Sequence, residues 1–345
     1  MCGVLDDQAC AVVEGGFQYI VLVLSSDMGD FQDYEHQVGG WHNGSASHIL
    51  KDSKGHILKP IKLNANPTYE TPTAEKDFPF KEKSETENNT PELVPVCRDE
   101  RQFYEKVKNS THPDDVSLLP LMPRFYGIVD VDGNGKSQPH LILEDLAAGM
   151  SLPCITDLKI GYTNYYPNKE QKKKKTAPPA SQKELGFCLT GMRVFDPQTG
   201  KLVVNLPPGE SKLLTTEEVL EKLSLFCQHK HQQSQVICSS IISNLREIHN
   251  WFSKQRSYIV RTSSVLLAYD ASLMTTTLQS SLAVSDSQVA SDLNKGSDLE
   301  DKKATLKVKA KMIDFAHVLN AFGEKDDNYL SSLESLMNIF SNRIS

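Results

Sequence analysis

The sequence has little from which a disulfide framework or a zinc centre could be built. Its seven cysteines are odd in number, scattered over 345 residues and never spaced as Cys-x-x-Cys, which fits a reducing compartment. A long hydrophobic run is also missing, since the longest early one, Phe17 to Leu24, is too short to cross a bilayer. No Lys or Arg precedes Lys51, so the basic opening of a signal peptide is absent. We therefore expect a protein of the nucleus and cytoplasm without a transmembrane segment.

The sequence also has no excess of positively charged residues. The net charge of −7 argues against a general affinity for nucleic acid or anionic membranes. Neither the G-x-G-x-x-G loop of protein kinases nor the G-x-x-x-x-G-K-[ST] loop occurs, and Gly39-Gly40 is only a weak candidate for a phosphate loop. The expectation is a monomer that binds no nucleic acid.

Hydrophobic periodicity and turn signals predict an α+β chain. The run Asp132-Gly-Asn-Gly135 is a strong hairpin signal between two short apolar stretches. Strands are predicted at 55–63, 124–131, 139–146, 185–195, 258–269 and 305–315, the last two as a hairpin, and helices at 98–107, 215–226, 236–252 and 330–340.

Two polar stretches have too little apolar content to offset the entropy of ordering, and they predict flexible insertions at about 64–93 and 271–299. The resulting division has two lobes. A leader of unknown role (1–35) precedes an N-terminal lobe (36–146) and a C-terminal lobe (147–345).

Asp157 and Lys159 lie two residues apart, so a strand would place both on one face. A carboxylate and an ammonium there suit phosphoryl transfer, because one can orient an attacking hydroxyl and the other can neutralise the transferred group. The plainer alternative is a surface ion pair. Asp314, after an apolar pair and before Phe315, resembles a metal-binding Asp of kinase-like folds, although a strand-end turn residue is the alternative.

Lys59 in a predicted strand and Glu100 in the next helix could form the ion pair that holds nucleotide phosphates in kinases, or could be two exposed charges. Glu144, Asp145 and Leu146 follow an apolar run, where a strand leaves one lobe for the other and backbone groups could bind adenine. The run Lys172 to Lys175 could bind a polyanion, act as a nuclear localisation signal or be a solvated loop.

The order of these features is more informative than any one of them. Pro153-Cys-Ile-Thr-Asp-Leu-Lys-Ile-Gly161 resembles the P-x-x-x-D-x-K-x-G signature of the inositol polyphosphate kinase family. Seven further blocks resemble that family in sequence order, over roughly residues 36 to 340: His36–Gly40, Leu58-Lys59, Glu100–Tyr104, Leu143–Asp145, Gly186–Phe195, Ser263–Asp270 and Lys311–Val318. The family's C-terminal G-Y-x-F-G-L-E-N-L stands here as Asn328–Leu336 without its glycines.

The resemblance implies a two-lobed fold, distantly like that of protein kinases, with ATP between the lobes and Mg²⁺ as cofactor. Asp157 and Lys159 would be catalytic, and Asp314 would hold the metal. The implied ATP-binding residues are Lys59, Glu100, Glu144, Asp145, Leu146, Asp157 and Asp314. The implied substrate-binding residues are Lys159, Lys172, Lys174, Lys175, Arg193 and His317.

The implied activity is transfer of the γ-phosphoryl group of ATP to inositol tris- and tetrakisphosphates, with phosphoinositide head groups as a further substrate. The short spacing between the signature and Gly186-Phe187 favours the multikinase branch over the hexakisphosphate kinases. The calmodulin-binding insertion that trisphosphate 3-kinases carry is not evident in this sequence. Both branches remain alternatives. An alternative of another class is a non-catalytic scaffold that binds phosphoinositides.

Overall fold

The computed structural model describes residues 10–14, 17–21, 31–38, 41–42, 45–46, 48–61, 94–133, 136–163, 178–207, 209–274 and 306–344. The predicted insertion at 64–93 lies outside these ranges, as do residues 275–299 of the second one, the pair Gly39-Gly40 and the Lys172–Lys175 run.

Sixteen strands and six α-helices are formed by the described residues. The strands are β1 (Cys10–Glu14), β2 (Phe17–Val21), β3 (Gln32–Asp33), β4 (Trp41–His42), β5 (Ser45–Ala46), β6 (Leu50–Lys51), β7 (Ile57–Pro60), β8 (Phe125–Gly133), β9 (Lys136–Leu143), β10 (Pro153–Ile160), β11 (Phe187–Phe195), β12 (Leu202–Leu206), β13 (Tyr258–Val260), β14 (Ser264–Asp270), β15 (Lys309–Ile313) and β16 (Val318–Asn320). The helices are α1 (Glu100–Asn109), α2 (Pro113–Leu118), α3 (Ala180–Leu185), α4 (Thr216–Phe226), α5 (Ser234–Lys254) and α6 (Asp327–Ile339).

The N-terminal sheet has five antiparallel strands in the order β3-β6-β7-β9-β8. Its hairpin pairs Gly133 with Lys136, so the predicted turn is confirmed. The predicted helix that follows the first strands is α1. It buries Phe103, Tyr104 and Val107, which are spaced as one helical face requires.

The C-terminal sheet also has five antiparallel strands, in the order β12-β11-β10-β14-β15. Strand β10, which contains the signature from Pro153 to Ile160, is therefore the central strand with a hydrogen-bonded neighbour on each side. Its residues are almost entirely buried. A central strand is the most firmly fixed position in a sheet, because both of its edges are paired.

The expectation of one strand over 258–269 is wrong. The chain forms β13, turns at Thr262 with a backbone φ of +57°, and then forms β14. The left-handed conformation of Thr262 interrupts the extended backbone, so the two pieces join different sheets. β14 pairs with β15, whereas β13 pairs with β16, a strand that the sequence pattern did not predict.

One continuous core joins the two sheets and the helices. The ring of Phe103 in α1 stacks on that of Phe315 with centroids 5.0 Å apart, so the N-terminal helix packs directly on the segment that follows β15. Helices α5 and α6 meet through Phe252 and Tyr329, whose rings stack at 4.1 Å. None of the helices in the described ranges is both long and apolar enough to cross a bilayer.

Candidate functional site

The face of the C-terminal sheet that carries Asp157 can be read from the strand register, because directly opposed residues of antiparallel neighbours point to the same side. One row across β11, β10, β14 and β15 contains Arg193, Ile155, Ala268 and Lys309, and the next contains Gly191, Asp157, Leu266 and Lys311. A third row across β10, β14 and β15 contains Lys159, Ser264 and Ile313. Asp157 and Lys159 therefore share a face at the centre of the sheet.

Lys59 of β7 lies between two carboxylates. Its Nζ donates to Oε1 of Glu100 at 2.8 Å and also to Oδ1 of Asp314. The ammonium is largely buried, yet the attraction of Asp314 and Glu100 outweighs the desolvation that burial imposes and raises the pKa of Lys59. The lysine is therefore charged at neutral pH, and it connects strand β7 and helix α1 to the turn after β15.

Glu100 fixes this turn through a second contact. The same Oε1 atom accepts a hydrogen bond from the backbone N–H of Phe315 at 3.1 Å. Asp314 itself has a φ of +66°, a conformation that residues other than Gly, Asn and Asp rarely adopt. The turn thus directs the Asp314 carboxylate toward Lys59, in a backbone conformation that a contact from helix α1 supports.

Asp157 is only 2% exposed, which excludes the alternative of a surface ion pair. Burial raises the pKa of its carboxyl group, and the nearby negative charge of Asp314 raises it further, whereas the hydroxyls of Thr190 and Ser264 oppose the shift. Its Oδ1 atom forms no hydrogen bond with any residue in the described ranges. A buried carboxylate oxygen without a partner is costly, so its presence here points to a functional use.

The residues fit a divalent cation of the kind that also binds nucleotide phosphates. Asp157 and Asp314 repel one another electrostatically, and a cation near both would relieve that repulsion. No cluster of three or more His, Cys, Asp or Glu side chains suited to a metal occurs within the described part of the chain. Mg²⁺ needs no such cluster, since it is usually held by one or two carboxylates together with substrate phosphates and water.

The segment Glu144 to Leu146 follows β9 directly, where the chain leaves the N-terminal sheet. The side chain of Asp145 is buried and turned inward. Its Oδ1 accepts hydrogen bonds from Tyr34 Oη at 2.6 Å and from the Ala147 N–H at 2.9 Å. The side chain of Asp145 therefore fixes the local backbone and is not directed at a ligand.

The backbone of this segment is also held on both sides. The Glu144 N–H donates to the carbonyl oxygen of Arg124 at 2.9 Å, and Oε2 of Glu144 accepts from the Arg124 N–H at 3.1 Å. The carbonyl oxygen of Leu146 accepts from Lys309 Nζ at 2.9 Å. Lys309 thus ties the segment to the C-terminal sheet.

An apolar surface lies between this segment and the sheet, next to Asp157. It is a small cluster, separate from the main core, with the half-buried Met150 and Leu266 packed against it. Its buried members are Val38, Leu146, Ala147, Ile155 and Ala268. An apolar cluster beside backbone polar groups is suited to a nucleotide base.

The structure separates the residues expected to bind substrate. Lys159 lies on the cleft face beside Asp157. His317 is exposed just after the Asp314 turn, and its carbonyl oxygen accepts from the Arg261 N–H. Arg193 Nη1 donates to the carbonyl oxygen of Glu35. Lys172, Lys174 and Lys175 lie outside the described residues.

Sequence reasoning did not select Tyr34, Lys51, Val38 or Ser264 as site residues. Ser264 could have been found, because it stands in a block that resembles the family and period-two alternation places it on the face of Lys159. Tyr34 and Lys51 both donate to Asp145, about a hundred residues away, and no local pattern signals such a contact.

A buried carboxylate, a paired lysine and a second carboxylate at the junction of two sheets define a phosphotransferase of the two-lobed kinase type. The model of the inositol polyphosphate kinase family matches residues 140–341, more than half of the chain. The chain belongs to the inositol polyphosphate kinase family. It is accordingly an ATP-dependent inositol phosphate kinase.

Relatives and a solved structure agree with this assignment. Inositol polyphosphate multikinase beta of Arabidopsis thaliana is 29% identical, and the match covers 88% of this chain and 90% of the relative. Inositol polyphosphate multikinase IPK2 of Oryza sativa subsp. indica is 26% identical, with 89% and 92% covered. The crystal structure of the inositol phosphate multikinase Ipk2 of S. cerevisiae, in complex with ADP and Mn²⁺, has the same fold, with a TM-score of 0.52 at 20% identity over 73% of this chain and 98% of that one.

Proposed function

We propose that this chain transfers the γ-phosphoryl group of ATP to ring hydroxyls of inositol tris- and tetrakisphosphates, with Mg²⁺ as the metal. The observation that carries the proposal is the position of Asp157 and Lys159 on one face of the central strand, close to the Lys59–Asp314 pair. The ADP and Mn²⁺ in the yeast structure support the use of a nucleotide and a divalent metal by this chain.

Asp157 is the group that orients the attacking hydroxyl and accepts its proton. A raised pKa suits this task, because a carboxylate whose pKa lies nearer to neutral pH is a better proton acceptor. Lys159, its neighbour on the same face, neutralises charge on the group in transfer. Most of the catalysis is then positioning and electrostatic stabilisation, which is typical of phosphoryl transfer.

Lys59 binds the α- and β-phosphates, and Glu100 holds its ammonium in place. Asp314, with Asp157 beside it, would hold the Mg²⁺, which neutralises charge on the β- and γ-phosphates. The backbone of Glu144–Leu146 and the apolar cluster around Val38 receive the adenine. The remaining side chains for the substrate phosphates are those of Lys172, Lys174, Lys175 and His317.

One experiment tests the proposal directly. The protein is incubated with ATP, Mg²⁺ and a panel of inositol phosphates, and the product isomers are resolved chromatographically. Turnover of tris- and tetrakisphosphates is expected, and short-chain phosphoinositides in the same panel test the lipid head groups. Turnover of the hexakisphosphate alone would favour the hexakisphosphate kinases, and binding without turnover would favour a scaffold.

A further inference from the structure

The five residues Tyr34 to Val38, here called the N-terminal clasp, touch three parts of the molecule. The first is the N-terminal sheet. The Tyr34 N–H donates to the carbonyl oxygen of Ile49 at 2.9 Å, and the Ile49 N–H donates to Oε1 of Gln37 at 3.1 Å. These reciprocal hydrogen bonds hold the clasp against the strand that begins at Leu50.

The second part is the segment that connects the two sheets. The Tyr34 hydroxyl donates to Oδ1 of Asp145 at 2.6 Å, and Lys51 Nζ donates to Oδ2 of the same carboxylate at 3.1 Å. Burial and the adjacent carboxylate raise the pKa of Tyr34, so the phenol remains a neutral donor at every physiological pH. The clasp is thus attached to the residue that precedes Leu146.

The third part is the C-terminal sheet. Arg193 of β11 donates from Nη1 to the carbonyl oxygen of Glu35, and its guanidinium lies over the Phe195 ring at 5.8 Å from the centroid. Gly191 precedes Arg193 by two residues, and the carbonyl oxygen of Val38 lies directly against it. A Cβ atom built on Gly191 would fall 1.5 Å from that oxygen, so no other residue fits there without displacing the clasp.

Val38 is the residue of the clasp that packs into the apolar cluster. It is 4% exposed and packs with Leu146, Ile155 and Ala268 in the apolar cluster beside Asp157. We propose that Arg193 and Gly191 are positioning residues that seat the N-terminal clasp on the C-terminal sheet, so that Val38 forms one wall of the nucleotide-base pocket. This inference rests on the proposed function only in naming the nucleotide as the ligand.

The proposal gives Arg193 a different task from the one that the family resemblance implies. An arginine whose guanidinium is committed to the Glu35 carbonyl would act on nucleotide affinity through Val38, and not on the inositol phosphate directly. The two tasks predict opposite results. Loss of a positioning residue weakens nucleotide binding, whereas loss of a substrate ligand raises KM for the inositol phosphate.

The test replaces Arg193 by Met, with Arg246→Met as the matched control, since Arg246 is an exposed residue of α5 that is not among the buried residues of that helix. Three quantities are measured: the Kd of a fluorescent ADP analogue, the KM for an inositol trisphosphate, and amide hydrogen exchange of a peptide covering residues 31–38 without nucleotide. Arg193→Met should weaken nucleotide binding about tenfold, the effect of losing one charge-assisted hydrogen bond. It should also speed exchange in the clasp peptide and leave KM for the inositol phosphate within about twofold of that of the control.

Two further variants cover a failure of Arg193→Met to fold. Tyr34→Phe removes only the hydroxyl that binds Asp145, and Gly191→Ala inserts a methyl group where the Val38 carbonyl lies. Both should reproduce the weaker nucleotide binding and the faster exchange. Unchanged exchange and nucleotide affinity, or a raised KM for the inositol phosphate with unchanged nucleotide affinity, would overturn the proposal. A wild-type protein that binds no ADP would count against the proposed function, while the exchange measurement would still decide whether the clasp is seated.

Discussion

Replacing Asp157 by Asn should make the protein more stable and nearly inactive. The wild-type carboxylate is buried, has an oxygen without a partner among the described residues, and lies near the negative charge of Asp314. Asn keeps the size of the side chain and removes the charge. If relief of this buried charge contributes about 1–3 kcal/mol, a protein of this size should gain roughly 1–4 °C in Tm at neutral pH without metal or nucleotide.

The sign of the pH dependence follows from the direction of the pKa shift. A carboxyl group whose pKa is raised by folding favours the folded state below its unfolded value of about 3.8, and this contribution is lost as the pH rises through the folded pKa. The difference in Tm between Asp157→Asn and wild type should therefore be close to zero near pH 4. It should grow to its full size once the pH exceeds the folded pKa.

The assay is thermal unfolding by circular dichroism between pH 4 and pH 8 in EDTA, alongside turnover of an inositol trisphosphate. Asp132→Asn is the control, because Asp132 is exposed near the hairpin turn and should change neither quantity. Turnover by Asp157→Asn should fall by about 10²–10⁴-fold, the usual contribution of a positioned general base. A variant that is less stable than wild type at neutral pH, or that turns over at a comparable rate, would show that the reasoning about this carboxylate is wrong.

The remaining predictions concern the ion pair and a helix terminus. Lys59→Met should weaken nucleotide binding and lower kcat/KM by about a hundredfold or more, since it removes a preorganised charge and leaves Glu100 and Asp314 without a shared cation. Equilibrium binding of ADP and steady-state kinetics would measure these changes. An ADP affinity close to that of wild type would contradict the prediction. Thr215→Ala should cost about 1 kcal/mol in unfolding free energy, because Thr215 and Glu218 form a capping box at the start of α4. Denaturant unfolding should detect that loss, whereas KM and kcat should stay at wild-type values because α4 lies outside the cleft.

Local signals were enough to predict most of the elements that position the site. The hairpin around Asp132–Gly135 and the helix predicted at 215–226 depend on residues within a few positions of one another, and both are confirmed. The same holds for the Phe103 face of α1. In each case the residues that determine the element lie close together in the sequence, so periodicity and turn chemistry are enough to predict it.

Contacts between distant residues account for what the sequence could not predict. The left-handed turn at Thr262 divides an apolar stretch that reads as one strand, and β13 joins β16 only because the tertiary fold brings Val318 to Val260. The bond from Tyr34 to Asp145 spans 111 positions of sequence. Such contacts follow from the packing of whole sheets, about which a local pattern carries no information.

The central position of β10 bears on how this enzyme could change its substrates over evolutionary time. β10 is the central strand of the C-terminal sheet and has a paired neighbour on each side. The alignment of Asp157 and Lys159 with their neighbours depends on backbone hydrogen bonds to β11 and β14, inside that sheet. Changes of charge at residues outside this sheet could therefore alter which polyanion is accepted, while the proposed catalytic groups Asp157 and Lys159 keep their register.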